Sequence, residues 1–163
     1  MIYPIVKYGQ EVLEKPAESV TAFDAALEKL VADMFETMYA SQGVGLAGTQ
    51  VNIHKRIFTM DVSETHDQPR CIINPEIISK EGIQYESEGC LSVPEGYDKV
   101  ERALKVKVRA LNLDGERIEF EAEGLMAACI QHEMDHLNGI LFIDHLSRLK
   151  QERYKTKLKK LRA

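Results

Sequence analysis

Gln131-His132-Glu133-Met134-Asp135-His136 closes an apolar run and places two imidazoles four residues apart. On a helix this spacing puts both rings on one face, one turn apart, where they can close on a single metal ion. Glu133 lies one step round from His132, so it can handle a proton on water held at the metal without being a ligand itself. The plainer alternative is a helix whose histidines pack or form ordinary hydrogen bonds. H-E-x-x-H arises rarely at ordinary residue usage, which favours the metal.

Working outward, Gly124 precedes a helix expected over 125–137, with Gly139 as its C-cap. Leu125, Met126, Cys129 and Ile130 leave this helix little polar surface, so it is expected in the middle of the protein. Upstream, Leu104-Lys105-Val106-Lys107-Val108-Arg109-Ala110 alternates apolar with basic, Asp114-Gly115 supplies a turn, and Ile118-Glu119-Phe120-Glu121-Ala122 alternates in reply. This is an antiparallel pair with one buried face. Leu27, Leu30, Val31, Met34, Phe35 and Met38 form a helical stripe after Asp24, a suitable N-cap. Residues 56–61 and 71–74 read as short strands, and 77–88 as a hairpin around Lys80-Glu81-Gly82. The expected class is α+β: antiparallel sheets packed around a central metal-binding helix, with a C-terminal helix.

With 163 residues the chain has the length of one domain. A catalytic unit over 1–146 and a basic helix over 147–163 of the same domain are expected. Three cysteines at irregular spacing make no disulfide framework and read as reduced thiols. Met1-Ile2-Tyr3-Pro4-Ile5-Val6-Lys7 lacks the basic-then-apolar order of a leader, and no segment is long and apolar enough for a bilayer. A cytoplasmic protein without a membrane partner is the expectation. Net charge is −5, yet the segment from Ser147 carries eight basic residues against Glu152 alone, +7 beside −12 for the remainder. Such a tail docks on a polyanion or is simply solvated.

Two histidines need a further protein ligand. Cys129 is displaced from His136 by about 10 Å along the axis at about 1.5 Å per residue, too far for a short side chain. Cys71 sits among isoleucines as a core thiol, and His54, His66 and His145 occupy polar, loop-like contexts without partner spacing. The extended zinc-protease pattern H-E-x-x-H-x-x-G-x-x-H holds through Gly139 and fails at Phe142. A downstream glutamate could only be Glu152, among lysines. Cys90 remains, in the turn Glu88-Gly89-Cys90-Leu91-Ser92-Val93-Pro94. Cys-His-His with water in fourth place is an open, catalytic type of site, and these ligands suit zinc and ferrous iron alike.

Three segments, Gly43-Val44-Gly45-Leu46-Ala47-Gly48-Thr49-Gln50, Glu88-Gly89-Cys90-Leu91-Ser92 and Gln131-His132-Glu133-Met134-Asp135-His136, together resemble the bacterial peptide deformylases. The family patterns are G-x-G-[IL]-A-A-x-Q, E-G-C-[LM]-S and Q-H-E-x-D-H, in this order, and the likeness spans nearly the whole chain. Gly48 departs from the usual alanine, which would loosen that loop. Glu95-Gly96-Tyr97-Asp98-Lys99 lacks the arginine that many members use to hold the peptide.

The resemblance implies an amidase that removes the formyl group from N-formylmethionine of nascent proteins, releasing formate. It implies Cys90, His132 and His136 as metal ligands and Glu133 as the proton carrier. Gln50 and the Leu91 backbone N–H become oxyanion donors, and the Gly45 carbonyl orients the substrate amide. Val44, Leu125 and Cys129 are candidates for an apolar methionine pocket, with plain core packing as the alternative. The metal implied is Fe(2+), replaceable by Zn(2+), Ni(2+) or Co(2+). A monomer docking on ribosomal RNA through the basic helix completes the expectation. The competing classes are a zinc endopeptidase and a structural metal module that binds the ribosome without catalysis.

Overall fold

Asp24 opens the first long helix as its N-cap, its carboxylate accepting from the Leu27 N–H at 3.0 Å. Helix α1 then runs Ala25–Ala40. The computed structural model describes residues 1–162, so Ala163, the end of the expected basic segment, lies outside the described residues. The chain continues through strand β1 (Gly45–Ala47), a 3-10 turn at Gly48–Val51, β2 (Ile57–Met60), β3 (Arg70–Glu81), β4 (Gln84–Cys90), β5 (Val93–Arg102), β6 (Lys105–Leu111) and β7 (Arg117–Glu123). Helix α2 (Gly124–Leu137), a 3-10 turn at Phe142–His145 and helix α3 (Arg148–Arg162) complete it.

One antiparallel sheet has the order β1-β2-β3-β6-β7, and β4 and β5 pair separately. All four residues of β2 are buried because each face of the sheet is covered. Ile57 points to the α1 side with Met34, Met38 and Leu46, whereas Phe58 and Met60 point to the α2 side with Ala127, Cys129 and Ile130. Val106, Val108 and Ala110 of β6 join the α2 layer, while the intervening Lys105, Lys107 and Arg109 reach Glu119, Glu121 and Glu123 of β7. The alternation expected for this pair is thus present, with its charged row facing solvent.

The hairpin expected over 77–88 does not form. β3 is occupied on one edge by β2 and on the other by β6, with Lys80 opposite Val106. β4, largely polar and exposed, has little apolar surface to give that sheet and pairs with β5 instead. β5 lies where no strand is expected from the sequence, because Pro94 and Gly96 interrupt its alternation. It buries Val93, Val100 and Arg102. A separate apolar cluster joins Val93 and Val100 to Leu141, Phe142, Ile143 and Leu158, which seats α3 on the body.

Asp61, just past β2, is buried, and its backbone N–H donates to the Val44 carbonyl at 2.8 Å. Burial alone would raise its pKa. Hydrogen bonds from Ser63, Tyr39 and the Gln68 N–H reverse this and hold the carboxyl at about 2 against an ordinary 3.8. A depressed folded pKa stabilises above the unfolded value and is lost as pH falls through the folded one. Asp61→Asn is expected to cost about 2 kcal/mol near neutrality, the worth of hydrogen bonds to a charged group. Urea midpoints followed against pH should show this deficit shrinking between about pH 4 and pH 2.

Candidate metal centre

Helix α2 presents Leu125, Cys129, His132 and His136 on one stripe, at steps of four, three and four residues. β4 ends against this stripe at Cys90, where a register shift between Gly89 and Cys90 breaks the ladder and releases the sulfur from the strand. Cys90 Sγ lies 3.2 Å from His136 Nε2, and the ligand atoms of Cys90, His132 and His136 all fall within 4.8 Å of one another. Burial opposes ionisation of Cys90, but the adjacent His136 and His132 reverse this and hold its thiol well below the ordinary range. Burial pushes the Cys71 thiol up to about 12, and Cys129 is also raised, by burial with Glu133 and Glu88 nearby. Cys90 alone among the three is therefore disposed to be a thiolate.

Each histidine has a definite inward nitrogen. Glu88 Oε1 accepts from His132 Nδ1 at 2.9 Å, which leaves Nε2 as the ring nitrogen available to a metal. Arg102 grips Glu88 with two bonds of 2.9 Å, from Nε to Oε2 and from Nη2 to Oε1. Burial would raise the Glu88 pKa, yet Arg102 and His132 hold it at about 2. Among the described residues, Glu133 Oε2 and His136 Nδ1 are the buried side-chain polar atoms without a hydrogen-bond partner. A thiolate, two imidazoles and an orphaned carboxylate oxygen converging in one buried place fit a divalent ion with reacting water beside it.

Glu133 is 2 % exposed, and burial holds its pKa above the ordinary carboxylate range, aided by Cys90 and Glu88 and opposed by the two imidazoles. Gly45 makes this burial possible. A Cβ there would sit 2.9 Å from Cys129 Sγ and 3.1 Å from Glu133 Cγ and Cδ. Gln50 Oε1 accepts from the Ala47 N–H at 3.0 Å, which turns Nε2 toward Cys90 Sγ at 3.5 Å and Ser92 Oγ at 3.2 Å. A donor is thus aimed at the centre by its own backbone turn. Leu91 follows Cys90 in the turn between β4 and β5, whose carbonyl is tied by Lys7 Nζ at 3.0 Å.

The sequence profile of the polypeptide deformylase family matches residues 2–152. This chain belongs to the polypeptide deformylase family. It is 56% identical over 156 residues to the peptide deformylase of Chromobacterium violaceum, covering 96% of this chain and 93% of that one, and 55% identical to the Neisseria gonorrhoeae peptide deformylase over the same shares. Among solved structures, a peptide deformylase from Legionella pneumophila is 45% identical with a TM-score of 0.94, covering 99% of this chain and 96% of that one. The Ehrlichia chaffeensis peptide deformylase in complex with actinonin is 41% identical with a TM-score of 0.93, covering 98% and 96%.

Phe142 stacks on the His132 ring with centroids 6.4 Å apart and an interplanar angle of 23°, so it packs where the long protease pattern needs a ligand. Glu152 is exposed and paired with Lys155. Gly48 is not a loosening substitution: a Cβ there would stand 2.9 Å from the Ile53 carbonyl oxygen and 3.0 Å from that of Lys55, so backbone is packed directly against it. Val44 and Leu125 are 44% and 61% exposed, whereas Cys129 is buried with its sulfur 3.8 Å from the Val44 carbonyl oxygen. His145, set aside as a metal ligand for want of partner spacing, lies outside the Cys90, His132 and His136 cluster and contacts Asp135 at 2.7 Å. Glu88, Arg102 and Asp135 had no assigned role in the sequence; Glu88 and Asp135 lie inside the quoted motifs, but no local signal marks Arg102. Glu88→Ala should leave the His132 ring unanchored and weaken metal affinity about 10- to 100-fold, measured by competition with a chromogenic chelator.

Proposed function

We propose that Cys90, His132 and His136 hold one divalent metal ion, Fe(2+) in the cell, and that Glu133 is the proton carrier of the reaction. The observation that carries this reading is the convergence of the Cys90 thiolate with two imidazoles beside a buried carboxylate that has an unpartnered oxygen. The family's reaction is hydrolytic: the N-formyl group is removed from newly synthesised proteins and leaves as formate. A divalent ion in this site supplies Lewis acidity, which acidifies water and stabilises negative charge; Zn(2+), Ni(2+) and Co(2+) share that property.

The side chains provide the rest. Glu133, whose pKa burial raises, takes a proton from the attacking water and returns it to the leaving amine. The Gln50 amide and the Leu91 backbone N–H donate to the developing oxyanion. β1 is the edge strand of its sheet, and its Gly45 carbonyl orients the substrate amide. Val44 and Leu125, both partly open to solvent, flank Cys129 to receive the methionine side chain. The decisive assay is formate release from formyl-Met-Ala-Ser, with an unblocked peptide as the control for endopeptidase action. Glu133→Ala is expected to keep its metal while turnover falls by about 10²–10⁴. Undiminished turnover at full metal content would remove Glu133 from the mechanism.

The same proposal places the protein in the cytoplasm, as a monomer, with 1–146 as the catalytic part and α3 as a docking helix for ribosomal RNA. No described helix is long and apolar enough to cross a membrane. α3 keeps Leu158 buried and exposes Lys159 and Lys160, so it is fastened by one face and basic on the other. Because truncation would strip Leu158 from the core, charge reversal is the cleaner test. Lys159→Glu with Lys160→Glu should weaken co-sedimentation with ribosomes and flatten its salt dependence, while formate release from a free peptide stays unchanged.

A further inference from the structure

Behind the metal helix a chain of ion pairs runs outward from His132. Glu88 binds His132 Nδ1, and Arg102 binds Glu88 through two of its nitrogens. Arg102 Nη1 also donates to Asp135 Oδ2 at 2.6 Å. That same oxygen lies 2.7 Å from His145 Nε2. His145 Nε2 is also 3.5 Å from Arg102 Nη1, and the two contacts demand opposite roles. A carboxylate only accepts and a guanidinium only donates, so the shorter contact decides: Nε2 carries a proton and donates to Asp135.

We propose that His145 is a positioning residue for the deformylation site, acting through Asp135, Arg102 and Glu88 on the ring of His132. The inference rests on the reading of Cys90, His132 and His136 as metal ligands. Its physical basis is competition for one guanidinium. Arg102 is a buried cation shared by two carboxylates, and Asp135 has two donors on its Oδ2 only while His145 is present. Without the His145 N–H, Asp135 draws harder on Arg102, the grip on Glu88 loosens, and His132 loses its anchor. His145 is 37% exposed at the edge of a cavity of about 590 Å3 that Lys80, Ile83 and Met134 also line.

The test uses protein loaded with Co(2+), comparing His145→Ala, His145→Gln and the unaltered chain. A glutamine amide reproduces the Nε2 donor without the ring. The alanine variant is expected to release Co(2+) to a chelator about tenfold faster, to shift the visible cobalt bands, and to lose kcat with KM little changed, while the glutamine variant recovers all three. A purely structural contact would lower the unfolding midpoint and leave the cobalt bands where they are. The proposal is overturned if alanine matches the unaltered chain, as when cavity water takes over the donation, or if glutamine is as impaired as alanine. Should the unaltered chain lack a thiolate-to-cobalt band that Cys90→Ser abolishes, the ligand reading falls and takes this inference with it.

Discussion

A helix bearing two histidines, a glutamate and a glutamine can lie in the middle of a protein only if its polar groups are matched one at a time. In α2 this matching is nearly complete. Gln131 bridges the backbone of Ala103 and Ala127, His132 is held by Glu88, and Asp135 by Arg102 and His145. Of the two atoms left over, Glu133 Oε2 belongs to the proposed proton carrier, while His136 Nδ1 is the ring nitrogen other than the Nε2 that faces Cys90. What the fold leaves unsatisfied on Glu133 is what it holds ready for water and substrate.

The two-sheet arrangement follows from the same constraint. The larger sheet supplies an apolar floor of Phe58, Met60, Val106 and Val108 beneath α2. An apolar floor can bury the helix but cannot answer its imidazoles. The answer comes from the smaller sheet: β4 delivers Glu88 and Cys90 two residues apart in one strand, and β5 brings Arg102 opposite Gln84 at its far end. Glu88 orients His132, one proposed ligand, and Cys90 is another, so a single strand sets both the position of the thiolate and the tautomer of His132. Glycine at 45 then lets β1 come close enough to confine Glu133.

Cys90 stood out in the sequence by elimination, since Cys129 lay too far along the helix, Cys71 in an apolar strand and Phe142 was no ligand. Three motifs in a fixed order carried the family, and the spacing of His132, Glu133 and His136 carried the chemistry. The strand alternation of β6 and β7 and the stripe of α1 were equally legible, because in each the period is written over several successive residues. β5 was hidden, since Pro94 and Gly96 break its period and the evidence for it is its partner, not its own sequence.

The sequence by itself determined which residues can ligate, carry a proton or pack, and where helix α2 begins and ends, because those depend on side-chain chemistry and on spacing of a few residues. Tertiary structure decided which distant groups meet. Arg102, 30 positions before His132, reaches it through Glu88, and His145 reaches the same network through Asp135. Such pairings follow from how two sheets close over a helix, a long-range packing outcome that no local pattern records. The H-E-x-x-H segment is half of a site, and the fold supplies the other half from a strand whose partner the sequence does not announce.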